Sequence, residues 1–196
     1  LKGTEPYKQK IENVSSIGVV GDITRLNIVV RDELPIYSLE DLLNKKIAVR
    51  LAHGPQGTVS YSYGKWVLEA YGISLRDIRN WGGRLFANNY DDVASMIKER
   101  QVDMFFWVGP GEAGSIQDAS IGTKLRWIPV SQEKIDELQK KHGLFGTTIP
   151  AAYYGGAVGP VLPCLGDTTE LIVRPAWAAA DVYHLTQALS EGGGEA

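Results

Sequence analysis

The chain has 196 residues, 44% of them hydrophobic and 22% charged, with a formal net charge of -3. That composition supplies a sizeable globular core in one or two domains, and with no basic run it argues against a nucleic-acid-binding face. Its single cysteine, Cys164, excludes an intrachain disulfide and a cysteine-rich metal site, and no window reaches the ~18 consecutive apolar residues of a membrane span.

The opening LKGTEPYKQK is polar and lacks a secretory leader pattern. In TRLNIVVRDELP, Leu26, Ile28 and Val30 alternate with Asn27 and Val29, which predicts a strand that stops before Pro35. Ser38, three residues before Asp41, is expected to cap a short helix over SLEDLL. KKIAVR reads as a second short strand. The turn GPQGT follows, then a helix with Val59, Tyr63, Trp66, Val67 and Ala70 on one face and Gly72 at its stop.

NWGGRLFANNY is expected to be a loop, and DDVASMIKER a helix with Val93, Met96 and Ile97 inward. VDMFFWVG is a nearly all-apolar strand of the kind found in parallel sheets covered on both faces. GEAGSIQDAS predicts a helix and KLRWIPVS a strand. SQEKIDELQKKHG predicts a polar helix with Ser131 as N-cap and Gly143 at its end. TTIPAAYYGGAVGPVLPCLGD reads as a long irregular segment and TTELIVRPAW as the last strand. AADVYHLTQAL reads as the last helix, with Val182, Leu185 and Leu189 on one face, and SEGGGEA has the composition of a frayed tail. The alternation predicts an α/β fold with mainly parallel strands. LNIVVRDELP and ELIVRPAW both carry Val-Arg at a strand exit followed by proline. They are either the two edge strands of an inserted α/β domain or a coincidence of short Val-rich strands.

GPQGT lies at a strand-to-helix junction, where the first helical N–H groups lack intrahelical partners. With the helix dipole they can hold an anion. Gly57 would let a ligand approach the backbone, Thr58 offers a hydroxyl and Gln56 an amide. No Lys-Ser/Thr pair follows Gly57 and no GxGxxG is present, so a small carboxylate fits better than a nucleotide phosphate. The plainer reading is that Thr58 caps the helix and the glycines shape the turn. Ligands of open α/β sheets sit outside the carboxyl ends of the strands. The strand ends at Arg50 and Trp107 are expected on one such rim, with Tyr61 and Trp107 lining a cleft. Trp81, Phe86 and Tyr90 fall near a second junction. Arg50, Arg84 and Arg126 are the cations available to a carboxylate, and spacing does not choose among them.

Chemistry of catalysis is weakly represented. His53, His142 and His184 share no metal-ligand spacing, and no Gly-x-Ser-x-Gly elbow occurs. His53, beside the turn, is the one candidate reactive group. No cofactor is implied.

Five segments in order resemble the solute-binding receptors of TRAP transporters, specifically the TAXI family. They are IYSLEDLLNKKIAVRLAHGPQGT, VLEAYGIS, VDMFFWVGPGEAGSIQD, TIPAAYYGG and DVYHLTQAL. Asn44 replaces the family's usual glycine, and GPQGT replaces Gly-Ser-Gly-Thr, so Gly57 and Thr58 carry over cleanly. The resemblance implies a periplasmic-binding-protein fold of type II, two α/β lobes joined by hinge strands, with the start of the first lobe missing. It implies residues 1–36 as a remnant of the first lobe with one hinge strand, 37–168 as the second lobe, and 169–196 as the return strand and a helix of the first lobe. It further implies an extracytoplasmic receptor for a small carboxylate or an amino acid such as glutamate, delivered to TRAP membrane subunits. The expected ligand contacts are Arg50, Gln56, Gly57, Thr58, Tyr61 and Trp107, with no catalytic or metal-binding residue. Two alternatives stay open: an enzyme of the same bilobal fold, such as a thiamine-pyrimidine synthesis protein, and the effector-binding domain of a transcription regulator.

Overall fold

The computed structural model describes residues 9–192. The chain divides into two compact units, one made of the stretch up to Ile23 with Thr168 onward, the other of Thr24–Asp167. Both divisions fall inside long strands, β1 (Ser15–Arg31) and β7 (Leu162–Val173). The smaller unit also holds helix α7 (Ala179–Gly192), in which Val182, Leu185 and Leu189 are half-buried.

In the larger unit the elements run α1 (Leu39–Lys45), β2 (Arg50–Ala52), α2 (Val59–Ala70), α3 (Leu75–Asn80), β3 (Arg84–Phe86), α4 (Tyr90–Lys98) and β4 (Met104–Gly109). They continue with α5 (Gly114–Ser120), β5 (Leu125–Trp127), α6 (Gln132–His142), β6 (Phe145–Ile149) and a short 3-10 turn at Tyr153–Gly156. The sheet order is β3-β2-β4-β1-β7-β6, with β5 also paired to β1.

The sheet is mixed rather than mainly parallel. β2 pairs in parallel with β3 and β4, but β1 is antiparallel to β4 and β5, and β6 is antiparallel to β7. The antiparallel pairs of β1 join residues far apart in sequence, such as Val29 with Phe105 and Trp127. Local alternation of strands and helices carries no sign of them.

Alternate residues of the central strands enter two different cores. Leu26, Ile28, Val30, Met104, Phe106 and Val108 pack with Leu39 and Leu42 of α1, Val67 and Leu68 of α2, Ile78 of α3 and Ile135 of α6. Val29, Phe105 and Trp107 pack with Val93 and Ile97 of α4 and Ile116 of α5. The larger unit is therefore a three-layer α/β sandwich. All six residues of β4 are buried, as expected of a strand covered on both faces.

Several boundaries differ from the sequence expectation. The strand expected over KKIAVR begins only at Arg50, because Lys46 turns the chain with φ 47° at the end of α1. The loop expected over NWGGRLFANNY contains β3, three residues held by the parallel edge of β2. α3 lies in SLRD-IRN, where Ser74 and Asp77 form a reciprocal capping box. The segment expected to be irregular contributes β6, the 3-10 turn and the first half of β7. Val59 is half-exposed rather than on the buried face of α2, because it occupies the helix's first position. Ser131 precedes α6 but makes no side-chain cap hydrogen bond, whereas Gly143 ends that helix in the left-handed region as expected.

Candidate functional site

β2, β3 and β4 run in the same direction, so their carboxyl ends share one rim. The exit of β2 carries the turn Gly54–Thr58 and the start of α2. His53 donates its backbone N–H to the Phe86 carbonyl at the exit of β3, at 3.0 Å. Its Nδ1 lies 2.7 Å from the Gly54 carbonyl, a contact that requires the proton on Nδ1. The ring is nine-tenths buried and meets the Tyr61 ring edge-on at 5.3 Å.

Thr58 fulfils the capping role. Its hydroxyl donates to the Pro55 carbonyl at 2.7 Å and accepts from the Tyr61 N–H at 3.3 Å. The Ser62 N–H is already bound to the Thr58 carbonyl, at 3.1 Å. Of the first-turn donors of α2, the amide of Val59, a residue 50% exposed, has no partner among the described residues, whereas Ser60 is buried at 2% exposure. Gly54 and Gly57 hold the turn with φ values of 76° and 93°, a region that favours glycine. Gln56 and Gly57 are both exposed beside the helix start.

On the other side of the rim, the hydroxyl of Tyr90, the first residue of α4, binds Val108 near the exit of β4. The same hydroxyl is hydrogen-bonded to Ser60 Oγ on the first turn of α2. Trp107 is 8% exposed, in the layer of α4 and α5, its ring 5.8 Å from that of Tyr90. The indole leans forward over Gly109, where a Cβ would lie 2.4 Å from it. Only a glycine there lets the ring reach the rim.

The structure therefore gathers Gln56, Gly57, Thr58 and Tyr61 on one turn and connects Trp107 to them through Tyr90. It does not bring Arg50 to this rim. Arg50 is the first residue of β2, at the amino end, opposite the expected side. Its guanidinium is bound to both oxygens of Asp103, at 2.8 and 2.6 Å. The expectation failed because the strand begins at Arg50 instead of ending there. Arg84 opens β3 beside it, and Arg126 is spent on Asp32, on the carbonyls of Leu34 and Ile36 and on the Tyr37 ring. None of the three arginines weighed from sequence is left to answer a carboxylate at the start of α2.

Sequence reasoning missed Ser60 and gave Tyr90 no role. Ser60 carried a signal, a hydroxyl two residues past the cap, but its partner is thirty positions away. No group of histidine, cysteine, aspartate or glutamate among the described residues could hold a metal ion. Nor, among these residues, is any helix long and apolar enough to cross a membrane. A separate open groove of about 470 Å³ lies between α6 and β6, lined by uncharged residues such as Gln132, Gln139 and Thr148.

Among solved structures, the chain is similar to the periplasmic aliphatic sulphonate binding protein SsuA of Escherichia coli. The two share 16% identity over 92% of this chain and 69% of that one, with a TM-score of 0.46. It is also similar to the AvGluR1 ligand-binding domain in complex with glutamate, at 16% identity over 92% of this chain and 57% of that one, TM-score 0.45. A third is the binding protein component of an ABC phosphonate transporter, PA3383, from Pseudomonas aeruginosa, at 14% identity over 89% and 47%, TM-score 0.45. The chain thus spans 47% to 69% of the lengths of these three proteins. The family model described as the NMT1-like family matches residues 1–195, and the chain belongs to that family.

Proposed function

We propose that this chain is part of an extracytoplasmic solute receptor of the TAXI kind, which captures a small carboxylate or amino acid and delivers it to TRAP membrane subunits. The carrying observation is the exposed start of α2, with the Val59 amide free of any intrahelical partner, on the carboxyl rim of β2 and β4. An N-terminal helix dipole and an open first-turn N–H suit one carboxylate. His53 and Tyr61 wall the same turn. In this reading Gly57 and Gln56 flank the acid, Thr58 orders the turn without touching it, and Trp107 closes the far side. Arg50 has a structural role instead. In this reading the receptor acts by binding alone.

The test is a thermal-shift and calorimetric screen of the full-length mature protein against small carboxylates and amino acids, with Val59→Pro as the control. Val59 is the first helical position, where proline is tolerated. Thr58 before it is already extended at φ -88°, ψ 159°, as a residue preceding proline must be. The variant therefore removes one open donor and keeps the helix. An acid that raises the melting temperature of the wild type should bind Val59→Pro about tenfold less tightly, the effect of losing one hydrogen bond to a charged group. Equal affinity in both proteins would remove the start of α2 from the binding site.

A further inference from the structure

The Tyr90 hydroxyl has an unusual set of partners. The Val108 N–H donates to it at 3.2 Å, and it can donate to the Val108 carbonyl at 3.3 Å. Ser60 Oγ is its third neighbour. A phenol offers one donor and two acceptor positions. With its proton on the Val108 carbonyl, the phenol accepts from both the Val108 amide and the Ser60 hydroxyl, and its capacity is filled. It has nothing left with which to hold a ligand.

The placement of these three residues explains the arrangement. β2 pairs with β4 only as far as Ala52 opposite Phe105, so the β2 side of β4 has no strand partner at Val108. The phenol takes that place. Tyr90 belongs to α4, in the layer that holds Trp107, while α2 packs its core side chains in the other layer. One hydroxyl thus ties the start of α2, the exit of β4 and the start of α4 together across the sheet.

We propose that Tyr90 is a positioning residue whose hydroxyl fixes the spacing between the start of α2 and Trp107, and so selects the size of acid the site accepts. This rests on the reading of that helix start as the ligand site. Without the hydroxyl, Ser60 and Val108 lose their common anchor, and the two walls move independently. The hydroxyl itself contributes no ligand contact.

Tyr90→Phe in the full-length mature protein tests this, because the ring that fills the layer is retained. Titration calorimetry with acetate, glutarate and L-glutamate should show the best of these acids weakened about fivefold, the equivalent of one net hydrogen bond. The spread of affinities among the three should narrow as well. Ser60→Ala should reproduce both effects, and the double variant should add little, as for residues acting through one contact. Hydrogen exchange in unliganded protein should be faster at the Val108 amide in Tyr90→Phe. A lower melting temperature with all three affinities shifted equally would overturn the selecting role and leave a structural one. Binding of none of these acids by the wild type would sink the ligand-site reading and the selecting role with it. Unchanged Val108 exchange would separately sink the latch.

Discussion

Arg50 and Asp103 form a three-point contact at the amino edge of the parallel strands. The Asp103 carboxylate accepts from the Arg50 backbone N–H at 2.9 Å and from its guanidinium at 2.8 and 2.6 Å. Arg31 approaches the same carboxylate at 3.5 Å. Burial pushes the Asp103 carboxyl up. Hydrogen bonds from Arg50 and the charges of Arg50 and Arg31 outweigh that and hold it below the usual carboxylate value. A lowered native value makes the contribution to stability complete above the unfolded value, about pH 4, and lost as pH falls through the native one. Denaturant unfolding measured between pH 7 and pH 3 should show stability falling at the acid end, with a shallower fall in Asp103→Asn. At pH 7 the same variant should cost about 3 kcal/mol, the low end for breaking a buried ion pair, because the Arg50 side chain is 37% exposed.

Gly64 lies in the middle of α2, where glycine is a poor helix former. A Cβ there would fall 2.1 Å from the Phe106 ring of β4. Gly64→Ala should therefore destabilise by about 1–3 kcal/mol, reversing the gain expected from helix propensity. A thermal melt that rises instead would show that α2 can lift off β4 without loss.

Thr58→Ala should cost about 1 kcal/mol, since the hydroxyl accepts from the Tyr61 N–H. Thr58→Ser should restore most of it. Urea unfolding of the three proteins compares them directly. In the proposed receptor, both variants should keep acid binding within a few fold, because Thr58 orders the turn but leaves the ligand to the start of α2 at the Val59 amide.

Cys164 is 1% exposed, and burial pushes its thiol up to about 12, against a smaller opposite pull from the Arg25 charge. It should resist iodoacetamide at pH 8 in the native protein and react readily in denaturant. Fast native alkylation, followed by mass spectrometry, would mean that β7 opens locally.

Local features of this fold were legible in the sequence where a short motif decides them. Ser38 and Thr58 cap their helices by accepting from the N–H three residues on. Gly143 ends α6, and the apolar run from Met104 is a fully buried strand. The Ser74–Asp77 capping box was readable too but was passed over, because it begins a helix of only six residues. Strand direction was not legible: the antiparallel place of β1 depends on partners 76 and 98 positions away. The candidate site follows the same division. The turn and its cap come from five consecutive residues. Whether Arg50 faces that turn depends on which end of β2 it occupies, and the pairing of Tyr90 with Ser60 depends on two helices meeting at one rim.

The order in which β1 meets its partners sets a timetable for synthesis. Leu26 to Val30 are all but fully buried, yet Val29 pairs with Phe105, which leaves the ribosome roughly 75 residues later. At 5–20 residues per second that is about 4–15 s during which this apolar strand has no β4 to pair with. Trp127 follows later still. The nascent chain thus carries the buried apolar end of β1 unpaired for that whole interval, and that stretch is the segment a holding chaperone would need to shield.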